Sequence, residues 1–443
     1  MKIGYKEGVS MTKFIMWLVF ILTLIWTNSS FAATLNDVEI RLICAAASMA
    51  SYNDDNGFLV RSMIKNHGWS IESIIDETDK ANAKILILSK KYDDGTLIKI
   101  VSTSGTDDAK DAKVDLRTKM VPFSSNNDDM EDNSSTIPMV HKGFKDYVSV
   151  ILKNDVYKNL INEVSNNHNA KLYLTGHSLG GAVSIIMAAK LIELGLNPNQ
   201  LTVMTFGAPA VGNKSFADAF EDKINLTRIT VSGDPIKKSL HVLGYVHFGE
   251  LIKYKPVNTV DHFPHKMAVY LDCAIRDYYD LKLGDNANVF NNPDNQPNAS
   301  ENADLIYVAP MQVMKNSFTD EDFKYVFHSM RDELTMHLPN VLFDEVGIKE
   351  VDEIKNLAEF DDSLTDVLNK AAKLNCKYIL VQYLQAKKIR NDRFGDYRVS
   401  LEEIVYDMKG FPVSMQTKSV TTKELTMIEA AIFSQASLHF EQD

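Results

Sequence analysis

The pentapeptide GHSLG at residues 176–180 is the strongest chemical signal in the chain. A G-x-S-x-G turn that follows a strand and opens a helix holds a serine hydroxyl clear of the sheet, and its glycines avoid clashes across the turn. Here the run KLYLT precedes the motif and AVSIIMAAKLIEL follows it. Ser178 is therefore predicted to be a nucleophile, and the amide of Leu179, at the helix start, is predicted to bind an oxyanion.

A serine nucleophile needs a base, and the base needs a carboxylate that orients it. Asp234 follows the predicted strand LTRITVS, at the carboxyl end where open α/β sheets place their chemistry. In α/β folds with this G-x-S-x-G turn, the serine comes first in the chain, then the acid, then the histidine. The candidate bases are therefore the histidines that follow Asp234, namely His241, His247, His262 and His265.

Four segments together resemble the class 3 lipase family of serine hydrolases, which includes the fungal triacylglycerol lipases. They are VHKGF at 140–144, GHSLGGA at 176–182, TFGAPAVGN at 205–213 and VSGDPI at 231–236. The resemblance covers about residues 34–279. It implies an α/β-hydrolase domain and a carboxylic ester hydrolase that works through an acyl-enzyme without metal or cofactor. The substrate class would be a lipid or another acyl ester, as for a lipase, phospholipase or carboxylesterase.

The resemblance also implies a choice of base. His265, in HKMAVY, is favoured because Tyr270 supplies the aromatic residue that follows the family's histidine. His262, in the Asp-His pair at 261–262, is the alternative. His247 resembles a structural histidine of the family. A second oxyanion donor is implied at Thr106, which matches the family's position for it.

The segment Ser104-Gly105-Thr106 departs from the family, which usually carries Arg-Gly-Thr or Arg-Gly-Ser there. The missing arginine keeps an alternative open, in which a weak or inactive hydrolase-fold scaffold acts with the C-terminal domain as an envelope binding protein. The lid of the family would lie at about residues 107–138, where few residues are apolar. We therefore expect transient contact with a membrane surface and substrates more soluble than an oil droplet.

Alternating apolar runs and helical patterns predict the elements that hold these residues, and they indicate an α/β fold with a largely parallel sheet. The predicted strands are KILILSK, LIKIVSTS, KLYLT, LTVMTF and LTRITVS, with helices from Ala182 and near Asn213. This hydrolase domain is predicted over residues 33–284. The polar stretch at 285–302 is predicted to be a linker.

A smaller α/β domain is predicted over residues 303–443. Its expected elements are DLIYVAP, a helix at 320–337, NVLFDEV, a helix at 364–374, KYILVQYL, YRVSLEEIVYD, FPVSMQT and a last helix from Thr422. This order faintly resembles the amino-terminal domain of TolB and related CsgG-type envelope proteins. The resemblance implies binding or localisation in the envelope, with no partner specified.

The start of the chain and the composition indicate the cellular location and the kinds of partner. Residues 1–32 read as a cleavable signal peptide with cleavage near Ala32 and Ala33, so we expect a secreted or periplasmic protein. The 443 residues carry 47 basic and 59 acidic side chains, a net charge of −12 that disfavours nucleic acid as a partner. Three widely separated cysteines cannot form a disulfide framework or a metal knuckle.

Overall fold

The computed structural model describes residues 36–77, 82–105, 119–124, 136–236, 240–257, 262–284, 304–352, 361–390 and 396–438. The predicted signal peptide, the predicted linker and Thr106 lie outside the described residues, as does most of the predicted lid. Residues 36–284 are called the N-terminal unit here, and residues 304–438 the C-terminal unit.

The N-terminal unit is built on a seven-stranded sheet. Its strands are β1 (Ser70–Glu77), β2 (Asn82–Lys91), β3 (Leu97–Thr103), β6 (Ala170–His177), β7 (Leu201–Phe206), β8 (Asn225–Val231) and β9 (Glu250–Tyr254), and a separate hairpin is formed by β4 (Met120–Pro122) and β5 (Met139–His141). The order is β1-β2-β3-β6-β7-β8-β9. β1, β2 and β3 pair antiparallel, and every pairing from β3 to β9 is parallel. The predicted strands and the largely parallel sheet are confirmed.

Helices cover both faces of this sheet. They are α1 (Asp37–Ala50), α2 (Asp55–Asn66), α3 (Lys142–Ile151), α4 (Asp155–Asn166), α5 (Leu179–Glu193), α6 (Lys214–Phe220) and α7 (Met267–Leu283). α5 begins directly after the GHS segment and is buried along almost its whole length. An all-round apolar helix of this kind belongs in the core. The architecture is that of an α/β hydrolase, as predicted, although the sequence patterns gave no prediction of α1, α2 or β1.

The C-terminal unit is a second, smaller α/β unit. Its elements are β10 (Ile306–Val308), β11 (Met311–Met314), α8 (Asp320–His337), β12 (Val341–Phe343), β13 (Ile348–Val351), α9 (Asp361–Lys373), β14 (Tyr378–Arg390), β15 (Asp396–Asp407), β16 (Pro412–Thr422) and α10 (Met427–Ala436). The order β12-β10-β14-β11-β13 is parallel, and β14, β15 and β16 pair antiparallel.

The run DLIYVAP contains the short strand β10, and a second short strand, β11, follows it from Met311; both pair with β14. One prediction for this unit is wrong in detail. The last helix begins at Met427 and not at Thr422, because Thr426 is its N-cap and forms a capping box with Glu429. Thr422 instead ends β16, and its hydroxyl accepts from the backbone N–H groups that follow. The resemblance to TolB-type domains stays a prediction.

The two units share one apolar core. The largest cluster of buried apolar side chains contains residues of α1 and α7 from the N-terminal unit together with residues of α8, α10 and β11 from the C-terminal unit. α7 lies between the two sets, in contact with α1, α8 and α10. The domain boundaries predicted from the sequence therefore separate two sheets whose units share one core through α7 and its neighbouring helices. Among the described helices, none combines the length and the apolarity needed to cross a membrane.

Candidate active site

Ser178 lies on the sharp turn between β6 and α5. Its backbone has φ 55° and ψ −123°, an unusual conformation for a residue other than glycine. The turn is tight enough that a Cβ on Gly176 would lie 2.5 Å from the carbonyl carbon of Gly180, and a Cβ on Gly180 would lie 2.0 Å from the Thr103 carbonyl oxygen. The Ser178 N–H donates to the Phe206 carbonyl at 2.9 Å. The strained serine is thus held by the sheet on one side and by glycines on the other.

Ser178, His265 and Asp234 form a continuous hydrogen-bonded chain. Ser178 Oγ lies 2.9 Å from His265 Nε2, and His265 Nδ1 lies 2.8 Å from Asp234 Oδ2. All three are buried, with exposed fractions of 5%, 4% and 2% respectively. The structure therefore brings together the predicted nucleophile, the predicted acid and the favoured base from three separate parts of the chain.

Asp234 is held in place by further donors. The Tyr270 hydroxyl donates to its Oδ2, and the Ile236 N–H donates to its Oδ1 at 2.8 Å. Burial alone would raise the pKa of this carboxyl, but the hydrogen bond and charge of His265, with these two donors, hold the pKa below its usual value. Asp234 is therefore ionised, as an acid that orients an imidazole must be.

His177, inside the nucleophile motif, is a second buried histidine at the site. Its ring centroid lies 4.7 Å from that of His265, and its Nδ1 is 2.7 Å from the Tyr52 hydroxyl. Burial, followed by repulsion from His265, lowers the pKa of His177 to about 3. This imidazole is thus neutral beside the base. No sequence signal pointed to Tyr52, because this residue lies just after α1, 125 residues before its partner His177 in the chain.

Of the two predicted oxyanion donors, Leu179 lies within the described residues. Leu179 is the first residue of α5, so its N–H is one of the first-turn amides that lack an acceptor within the helix. Thr106 lies outside the described residues, but Gly105 before it is close to the site. A Cβ on Gly105 would lie 2.5 Å from the Tyr52 hydroxyl and 2.9 Å from the His177 carbonyl oxygen. Ser104 is buried at the position where the family usually has arginine.

The other predicted candidates lie elsewhere. His262 stacks on Tyr397 of β15, with ring centroids 6.2 Å apart and planes 18° from parallel. The rings of His241 and His247 lie 5.1 Å apart. The three cysteines are buried free thiols. Within the described ranges, no group of three His, Cys, Asp or Glu side chains could hold a metal ion.

The chain is similar to lipases over part of its length. Residues 100–242 match the family described as Lipase (class 3). The secreted mono- and diacylglycerol lipase A of Penicillium cyclopium is 35% identical over 98 residues, which is 22% of this chain and 32% of that protein. The lipase of Rhizomucor miehei is 33% identical over 115 residues, or 25% and 31% of the two chains. Phospholipase A1-II 3 of Oryza sativa subsp. japonica is 29% identical over 119 residues, or 23% and 28%.

A solved structure of Rhizomucor miehei triacylglyceride lipase is also similar, with 20% identity, a TM-score of 0.40, and coverage of 50% of this chain and 82% of that one. The chain spans about a fifth to a third of the length of the curated relatives it matches. The predicted resemblance to class 3 lipases is confirmed over residues 100–242, a segment that contains Ser178 and Asp234.

Proposed function

We propose that this chain is an exported serine ester hydrolase that cleaves acyl esters through an acyl-enzyme. The observation that carries the proposal is the contact chain from Ser178 Oγ through His265 to Asp234, with distances of 2.9 Å and 2.8 Å. A serine on a strained turn, an imidazole in contact with it and a buried carboxylate behind the imidazole are the parts that acyl transfer needs.

In the proposed reaction, His265 Nε2 takes the proton of the Ser178 hydroxyl while Oγ attacks the ester carbonyl carbon. Asp234 keeps the imidazole oriented and stabilises it when it becomes charged. The carbonyl oxygen becomes an oxyanion, which the Leu179 amide stabilises together with Thr106. His265 then gives its proton to the departing alcohol, and water hydrolyses the acyl-enzyme by the same steps to release the acid.

Lipid esters are the proposed substrate class. The relatives named as a mono- and diacylglycerol lipase and as a phospholipase A1 support it, as does the match of residues 100–242, which contain the nucleophile motif, to the class 3 lipase family. Export is part of the proposal on two grounds: the signal-peptide pattern at residues 1–32 and a Penicillium relative that is named as secreted. Contact with a membrane surface would then be transient and made at the carboxyl edge of the first sheet.

The test compares the mature protein with Ser178→Ala on p-nitrophenyl butyrate and p-nitrophenyl palmitate. We expect kcat to fall by about 10⁵- to 10⁶-fold in the variant, because the nucleophile and base act as a unit. A burst of p-nitrophenol in the wild type would report the acyl-enzyme. If wild type and variant are equally inert on both esters and on phospholipid vesicles, the proposal fails and the scaffold alternative replaces it.

A further inference from the structure

His265 lies at the entrance to α7, the helix that separates the two units. The helix starts two residues after the base, and most of its first three turns are buried on every side. On one side Tyr270 reaches back to Asp234. On another, Ile275 belongs to an apolar core that also contains residues of α8 and α10. The position of the base is thus set by a helix that packs on both units.

The loop that carries His265 is held by the C-terminal unit on both sides of the base. Three residues before it, the His262 ring stacks on Tyr397 of β15. One residue after it, Lys266 forms an ion pair with Glu424, which lies between β16 and α10. These two contacts join the catalytic loop to a strand and a turn of the second sheet.

A buried charge network fixes α7 further along. Arg276 Nε donates to Asp272 on the same helix at 2.7 Å, and an Nη of Arg276 donates to Asp322 of α8, also at 2.7 Å. The guanidinium lies over the Tyr325 ring, 4.7 Å from its centroid. Thr426, the N-cap of α10, lies near Asp272 and opposes the rise in the pKa of its carboxyl. We call these residues and the adjacent Glu429 the seam network. Its buried, directional bonds favour one register of α7 against α8 and α10.

From these contacts we infer that the C-terminal unit positions His265, so that hydrolysis in the N-terminal unit depends on it. Tyr397 is the positioning residue that acts on this loop through the His262 ring. The expected effect on the rate of hydrolysis rests on the proposed function. A displacement of about 1 Å at a catalytic group can lower the rate about 100-fold. His265 must keep both of its contacts, 2.9 Å to Ser178 and 2.8 Å to Asp234, while its loop is braced from outside its own unit.

The experiment compares Tyr397→Ala with Tyr406→Ala in the full mature chain. Both tyrosines are buried on β15, but Tyr406 packs in a separate apolar cluster with Ile379 and Ile404. Both variants therefore remove a buried ring from β15, and only Tyr397→Ala removes the ring that stacks on His262. Tyr397→Phe keeps that ring and serves as the conservative variant. Thermal unfolding is recorded for all three, and kinetics are measured well below the lowest midpoint.

For Tyr397→Ala we expect kcat on p-nitrophenyl butyrate to fall about 10- to 100-fold, with KM within about twofold. Tyr397→Phe and Tyr406→Ala should keep kcat within about twofold of the wild type. A second readout does not need turnover: the downfield proton resonance of the hydrogen bond between His265 Nδ1 and Asp234. It should shift or broaden in Tyr397→Ala alone.

The outcomes separate this inference from the proposed function. If the wild type hydrolyses no ester, the proposed function fails, yet the downfield resonance still reports whether Tyr397 positions His265. If the wild type is active and Tyr397→Ala matches Tyr406→Ala in both kcat and resonance, the positioning role is overturned. Equal losses of kcat in the two alanine variants, in proportion to their midpoints, would reduce the role of Tyr397 to stability and would also overturn it.

Discussion

Two buried polar clusters meet α7, and they differ in backbone strain and in how their charges are neutralised. We call Ser178, His177, Asp234, His265 and Tyr270, where the proposed hydrolysis takes place, the catalytic cluster. The seam network surrounds Arg276. On α7 the nearest members are Tyr270 and Asp272, which are two residues apart and so point to nearly opposite sides of the helix. One helix therefore presents chemistry to one unit and a structural ion pair to the other.

The catalytic cluster combines a strained backbone with an imidazole that is able to change its charge. Ser178 has a positive φ, and each nitrogen of His265 has a partner. Strain of this kind persists only where the surrounding structure enforces it, and here the Ser178 N–H is bonded to the Phe206 carbonyl in a turn whose close packing the glycines permit. The cluster is thus arranged for a proton to move through it.

The seam network has no comparable strain, but its charges are deeply buried. Burial raises the pKa of Asp272 and, with the neighbouring Asp272 charge, raises the pKa of Glu429 well above its usual range. Within the described residues, Asp272 Oδ1, Arg276 Nη1 and Glu429 Oε1 have no hydrogen-bond partner. This cluster therefore relies on one arginine to neutralise its acids, and it has the character of a structural joint.

The largest expected effect separates rate from stability at the catalytic cluster. His265→Ala should lower kcat by about 10⁵- to 10⁶-fold. It should change the free energy of unfolding by no more than about 2 kcal/mol, because Asp234 keeps two other donors. The measurement is kcat on p-nitrophenyl butyrate together with urea denaturation.

His262→Ala is the matched histidine variant. It removes the ring that stacks on Tyr397, so kcat should fall about 10- to 100-fold, as in Tyr397→Ala and far less than in His265→Ala. If instead His262→Ala abolishes turnover while His265→Ala retains it, the base has been assigned to the wrong histidine and the comparison of the two clusters collapses.

Arg276→Met should give the reverse result, with a large cost in stability. It leaves Asp272 and Asp322 buried without their cation, so the free energy of unfolding should fall by about 3–5 kcal/mol. Arg41→Met is the control. Arg41 also forms an ion pair with an aspartate of α7, Asp277, whose side chain is 37% exposed. It should cost under about 1 kcal/mol in urea denaturation.

A combined variant sharpens the same comparison. A triple variant replaces Arg276 by Met and both Asp272 and Asp322 by Leu, which removes all the charges of the two ion pairs. Much of the stability lost in Arg276→Met should then return. If the triple variant is no more stable than Arg276→Met, the cost lies in packing around α7 and not in unpaired carboxylates.

The sequence predicted the catalytic cluster better than any other part of the molecule. Acyl transfer demands a serine on a particular turn, so GHSLG carries a local signature, and the resemblance to class 3 lipases pointed to VSGDPI and HKMAVY. The structure brings the predicted nucleophile, the predicted acid and the favoured base into contact, and their catalytic roles stay predictions. Tyr52 was missed because its role depends on a contact across 125 residues, which no local pattern encodes.

The seam network could not be predicted in the same way. In the segment DCAIRDYYDLKL of α7, the charged residues resemble the solvated side of an amphipathic helix. Arg276 is buried only because α8, whose Asp322 lies 46 residues further along the chain, packs over it. The start of the last helix was misplaced for a related reason, since the N-cap role of Thr426 depends on Glu429 and on the end of β16.

The smallest expected effect concerns His177 and the pH dependence of stability. Burial, then repulsion from His265, lowers the pKa of His177 from 6.5 to about 3. Below about pH 6.5 the unfolded chain therefore binds a proton that the folded chain does not bind. The contribution of this imidazole to the free energy of unfolding is full above that pH. It is lost at about 1.4 kcal/mol per pH unit as the pH falls towards 3.

His177→Asn removes this titration, so the difference in stability between wild type and variant should shrink by about 2 kcal/mol between pH 6.5 and pH 5. Urea denaturation at half-unit steps from pH 7.5 to pH 5 provides the measurement. The raised pKa values of Asp272 and Glu429 act in the opposite direction, but both groups are present in both proteins and their contributions cancel in the difference. Parallel curves would mean that His177 takes up its proton in the folded chain, and that the catalytic cluster accommodates a second charge beside His265.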